Sequence, residues 1–142
     1  MDKQTGSQRL LRIFSVLQFI SAVVFIILMA FIFYGMSKVD ISAKVEDKTG
    51  MIFDIVKLII NTILLFISWH ILKKTSVDAS KHNDALIITL VLIAFEIMNF
   101  ITSLDRGVPS NLVAMVTSVL INMVVLFLVN NVKKEYLNQK NN

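Results

Sequence analysis

The chain has 142 residues, no cysteine, 56% hydrophobic residues, a formal net charge of +4 and a mean hydropathy of +0.73. That hydropathy lies outside the usual range of soluble domains, and the missing thiols exclude disulfides, thiolate metal sites and cysteine nucleophiles. No polar stretch is long enough to fold as a separate catalytic domain. The basic excess reads as membrane-flanking Lys and Arg, because no aromatic–basic interleaving or zinc-finger spacing points to nucleic acid.

Four apolar runs follow in chain order, at residues 13–35, 52–72, 85–104 and 112–132. A helix rises 1.5 Å per residue, so about 20 apolar residues cross the ~30 Å hydrocarbon layer. The expected fold class is therefore all-α: an integral membrane protein, a single antiparallel bundle of four transmembrane helices. The lipid bilayer is its first partner. The first run follows Lys3, Arg9 and Arg12, as a signal peptide would, but it exceeds the 7–15 apolar residues of a signal core and no small-x-small cleavage site follows. It is expected to stay as the first helix.

Residues 1–12 read as a polar tail. Residues 36–51 read as a surface segment, in which Val39, Ile41, Ala43 and Val45 alternate with polar residues as in a half-buried strand. An irregular loop on the membrane surface is the plainer reading, and an edge that pairs with another subunit the sharper one. Asp47, Lys48, Thr49 and Gly50 suit a turn before the second helix. Residues 73–84 form a second loop with possible helix caps at its end, and residues 105–111 a tight third one in which Pro109, Ser110 and Asn111 suit a helix start.

Charge sets orientation. The N-terminal tail, second loop and C-terminal tail carry nine Lys and Arg residues, against four in the first and third loops. The positive-inside rule then puts both termini and the second loop in the cytoplasm. Tyr34 and Trp69 fall at opposite interfaces, where aromatic rings prefer to lie.

Lipid cannot satisfy polar groups, so polar residues inside a span face neighbouring helices. Ser15, Gln18 and Ala22 mark such a face in the first helix, and Asp54, Lys57, Asn61 and Ser68 in the second. Ala85, Thr89, Glu96, Asn99 and Ser103 do so in the third, and Asn111, Ala114, Ser118 and Asn122 in the fourth. Ala114 and Ser118 form a small-xxx-small contact. Asn61, Glu96 and Asn122 fall within about one helical turn of mid-span. Ile60-Asn61 with Leu65-Phe66 echoes Ile121-Asn122 with Leu126-Phe127 at a constant offset, as an internal repeat would.

Glu96 is the residue that lipid would not tolerate without a reason, at about 3 kcal/mol on insertion scales. As a neutral acid it donates one hydrogen bond and accepts others, and Asn61, Asn99 and Asn122 are its expected partners. It reads either as a site for a proton or cation or as a node that fixes helix packing. Asp54 and Lys57, three apart near the outer interface, read as a local pair or as snorkelling side chains, with a gating role as the sharper alternative. His70 reads as interfacial and His82 as a solvated loop residue. The seven dispersed methionines read as packing filler.

No catalytic motif is present, so no enzyme and no cofactor is expected. The leading expectation is a small non-enzymatic protein of a bacterial-type cytoplasmic membrane. It would act through helix contacts as an accessory, immunity-like or regulatory subunit, with a membrane-protein partner or as a homo-oligomer. A small proton-coupled exporter built on Glu96 is the alternative, and a holin-like lysis protein a third. In size and helix count the chain resembles the small multidrug-resistance exporters. That family keeps its essential Glu in the first helix, where this chain has none, so neither its substrate nor its mechanism is carried over. The bundle alone is expected to offer only a small interior.

Overall fold

A computed structural model describes residues 5–38, 45–105 and 112–141; of the expected strand-like alternation at 39–46 and third loop at 105–111, residues 39–44 and 106–111 lie outside them, while Val45 and Glu46 open a helix and Asp105 ends one. The described residues are all-helical: α1 (Gly6–Lys38), α2 (Val45–Val77), α3 (His82–Asp105) and α4 (Leu112–Asn141), with one 3-10 turn, Ala79–Lys81, between α2 and α3. Each of the four is long and apolar enough to cross a bilayer, which is compatible with a small multi-pass membrane protein. The runs are rich in β-branched Ile and Val, which lower helix propensity in water. Long apolar spans without internal proline are helical nonetheless, since a helix satisfies its own backbone where water cannot.

The helices outrun their apolar cores. At 33 residues each, α1 and α2 are about 50 Å long at the standard rise. Residues 6–12, expected as tail, are helical because Thr5 and Gln8 form a reciprocal cap. The Gln8 side chain accepts from the Thr5 backbone N–H at 2.9 Å, and the Thr5 hydroxyl accepts from the Gln8 N–H at 3.3 Å. Residues 47–50, expected as a turn, belong to the first turns of α2. The basic tail after Val132 continues α4 to Asn141.

The second loop is also shorter than expected. α2 runs through Lys73 and Lys74 to Val77, and Asp78 then caps the 3-10 turn by accepting from the Ser80 N–H at 3.0 Å. Thr75, fully buried, ties the corner together through Ile71 O at 3.0 Å and Lys81 O at 3.2 Å. His82 is no solvated loop residue. It is the first residue of α3 and buried, with Nδ1 3.0 Å from Ala79 O and its ring 5.8 Å from that of Tyr136.

Packing is concentrated at one end. In α1 the buried residues are Gln8, Leu11, Ser15, Gln18 and Ala22, alternating steps of three and four as in a bundle seam. Leu11, Leu72, Ala85, Val125, Leu128, Val129 and Val132 form the main core, drawing on all four helices. A smaller cluster of Ala22, Leu65 and Leu92 lies next to it. Phe19 stacks on Trp69 at 4.9 Å, and Lys73 lies 5.4 Å over the Trp69 ring. Ser7 donates to Glu135 at 3.1 Å, joining the start of α1 to the end of α4.

The other end is different. Beyond Ala22, Thr62, Phe95 and Asn122, toward the 39–44 and 106–111 connections, none of the described residues is buried. Among the described residues, burial is thus confined to one half of the bundle.

Candidate functional site

At this boundary lies a partly open cavity of about 800 Å³, far more than the small interior expected from the sequence. All four helices contribute to it. On α3, Leu92, Glu96, Asn99 and Ser103 recur at steps of four, three and four, one face of a helix. α4 supplies Ser118 and Asn122 on the same spacing, α2 supplies Asn61 and Leu65, and α1 supplies Gln18, Ser21 and Phe25. Phe14 and Phe100 add aromatic surface. The lining thus mixes apolar side chains with convergent polar ones from all four helices, as a small-molecule site can.

Glu96 is half-buried, and Ser118 is its hydrogen-bonding neighbour across the α3–α4 contact. Among the described lining residues Glu96 is the one ionisable side chain. Asn122 is buried at 5% exposure, and its Nδ2 donates to Ser118 O at 3.0 Å. Its Oδ1 is buried with no hydrogen-bond partner, and so is Oδ1 of Asn61. Orphaned buried acceptors are uncommon and costly in native proteins; Oγ of Ser68 and Oε2 of Glu135, outside the cavity lining, are in the same state. Asn99 is half-buried on the wall; its backbone oxygen accepts from Ser103 at 2.7 Å and Thr102 at 3.1 Å.

The structure therefore brings Glu96, Asn61, Asn99 and Asn122 to one cavity. The two asparagines of the sequence echo play matching parts there, each with a carbonyl oxygen unmatched. Gln18 and Ser118 belong to the same site. Sequence reasoning placed both on inward faces without assigning them to Glu96, and their steps of three or four to Ala22 and Asn122 were the available signal. The side chain of Ala114 lies outside the described residues, so the small-xxx-small contact is represented by Ser118 alone.

Asp54 and Lys57 sit outside this cavity. Asp54 is exposed, while the Lys57 ammonium donates to the Thr102 hydroxyl on α3 and lies 4.9 Å from the Phe53 ring centre. Lys57 thus spans from α2 to α3 one helical turn beyond Asn61. Among the described residues no group of three or more His, Asp or Glu is placed to hold a metal ion. Comparison with protein-family models, curated proteins and solved structures finds no match to this chain.

Proposed function

We propose that this is a small non-enzymatic membrane protein with four antiparallel spans, both termini cytoplasmic, whose central cavity binds a small cation against Glu96. The charge asymmetry of the flanks supports the orientation. The carrying observation is one carboxyl group, with no basic residue among the described residues that line the cavity, in a chamber large enough for a small organic molecule. A carboxyl that holds either a proton or a cation makes the two compete, so ligand binding displaces the proton. The aromatic walls suit a cation with an apolar tail.

The test is calorimetric titration of the purified protein with n-butylguanidinium, a permanently charged probe, in two buffers of different ionisation enthalpy. Saturable binding with proton release in the parent, and loss of both in Glu96→Gln, is the expected result. Equal binding by Glu96→Gln would remove the carboxyl from the site and the proposal with it. Protease accessibility of the C-terminus from the outer side would overturn the orientation.

A second reading, an accessory subunit acting through helix contacts, draws on the half of the bundle in which no described residue is buried. Disulfide crosslinking from single cysteines at Phe31 and Val113, both strongly exposed, tests it. Dimers or adducts of defined size support this reading, and a monomer that never crosslinks opposes it.

A further inference from the structure

We propose that the end of the bundle that holds the main core binds anionic phospholipid, with the headgroup at Arg12 and Lys73 and the upper acyl chain along the aromatic step between α1 and α2. The inference rests on the membrane-spanning reading above and not on the cation site. Leu11, Leu72 and Val132 are fully buried in one cluster, and each is followed in the chain by a cation: Arg12, Lys73 and Lys133. Because the three apolar residues meet, the three cations stand at one level of the bundle, on α1, α2 and α4. Arg12 and Lys73 are exposed and Lys133 is half-buried, and none of them has an ion-pair partner among the described residues. Lys74 and Lys134 add exposed charge one residue further on. Against them stand Asp78, Asp84 and Glu135, of which the first already accepts from Ser80 and the last from Ser7, so the excess at this end is positive.

The aromatic step selects a lipid over a soluble anion. The Phe19 ring lies 4.9 Å from that of Trp69 and 6.0 Å from that of Phe66, which ties α1 to α2. The Lys73 ammonium lies 5.4 Å over the Trp69 ring, one turn further along α2. Arg12 precedes Phe19 by two turns and so shares its face of α1. At the standard rise these cations stand about 6 and 10 Å beyond the rings. The headgroup layer on each side of a bilayer is about 5–8 Å deep. Rings at the edge of the hydrocarbon thus put the cations at the depth of the phosphates, and such rings prefer that edge. A free anion would neutralise Arg12 and Lys73 but leave the rings without an apolar partner, whereas a phospholipid meets both. The anionic class is favoured over the zwitterionic one, because a choline headgroup already carries a cation beside its own phosphate. Arginine adds a planar fork that matches phosphate oxygens, and basic groups between helices at this level are a known form of lipid recognition.

Trp69 is the single tryptophan of the chain, so its fluorescence reports this position alone. The experiment reconstitutes the full chain in mixed vesicles of phosphatidylglycerol and phosphatidylcholine, with bromines on the acyl chains of one lipid or the other, and reads quenching of Trp69. A Lys or Arg at an anionic surface changes affinity about fivefold. The parent should therefore favour phosphatidylglycerol beside Trp69 by at least about fivefold. Arg12→Gln combined with Lys73→Gln should bring the ratio close to one, while quenching by brominated phosphatidylcholine persists and shows that the variant is folded and inserted. Lys140→Gln, remote from the step on the last turn of α4, should keep the parent ratio, and so should the parent in inorganic phosphate buffer. A parent ratio near one overturns the proposal, as does an unchanged ratio in the double variant. An equal loss in Lys140→Gln overturns it in favour of diffuse surface charge, and a loss in phosphate buffer in favour of a simple anion site. Absence of quenching by either lipid shows that no acyl chain reaches the rings and overturns it too, and failure of the parent to enter vesicles overturns the membrane reading with it.

Discussion

Leu11→Ala tests whether the bundle is packed at one end only. Leu11 is fully buried in the main core, against side chains from the other three helices. In water such a change loses both transfer energy and packing. In lipid the transfer part vanishes, since hydrocarbon tails are as apolar as leucine, and only the packing loss remains. A void of about 75 Å³ at about 24 cal/mol per Å³ gives roughly 2 kcal/mol, close to a thirtyfold shift in the folding equilibrium. Phe31→Ala removes a larger side chain from the same helix, but Phe31 is 69% exposed in the open half. Its cost should stay within about 0.5 kcal/mol. Reversible unfolding in mixed micelles, followed by circular dichroism, measures both variants against the parent. Equal destabilisation, or a greater loss from Phe31→Ala, would refute the uneven packing and the boundary on which the cavity depends.

Other outcomes follow from single contacts. Thr5→Ala removes half of the reciprocal cap on α1 and should cost about 1 kcal/mol locally, seen as faster amide exchange over the first turn. Asp78 has its carboxyl held below the ordinary 3.8 by its hydrogen bonds to Ser80. Its contribution is complete above that value and is lost as pH falls through the lower folded-state value, so protection of the Ser80 amide, taken relative to its intrinsic exchange rate, should fall only in that acid window. Asp78→Asn should abolish this pH dependence, and an unchanged acid response would refute the assignment. Ser68 is fully buried with an unpartnered hydroxyl, so Ser68→Ala should be neutral or stabilising by up to about 1 kcal/mol in the same unfolding assay.

The apolar runs made the four helices legible because span length is written directly in hydropathy. Their ends were not, because hydropathy is blind to the polar turns that continue a helix. α2 begins at Val45 rather than residue 52, and α4 carries on through Lys133, Lys134 and Glu135, residues that favour helix without being apolar. The start of α1 was readable in principle, since Thr5-Gly6-Ser7-Gln8 has capping-box spacing. The inward faces followed from steps of three and four. Their meeting at one cavity did not, because it depends on how the four helices sit against one another. His82 shows the same gap: a polar residue in a loop-like stretch becomes buried once Tyr136, far along the chain, packs against it.

The position of the cavity also bears on what the protein can do with a ligand. The α1 seam of Gln8, Leu11, Ser15, Gln18 and Ala22 runs alongside the cavity, which Gln18 lines, and Leu65 and Leu92 of the small cluster form part of its wall. Past Ala22 the same helix presents Ile27, Phe31 and Phe33 at exposures of 51%, 69% and 52%, with no seam to close. Glu96 thus lies beside the half in which no described residue is buried, which in the proposed topology is the outer one. Passage to the other side would need the main core between Leu11 and Val132 to part, against the packing of seven buried side chains. Binding needs no such opening. Under the proposed function, a cavity beside a closed seam is thus better suited to holding a cation than to carrying it across.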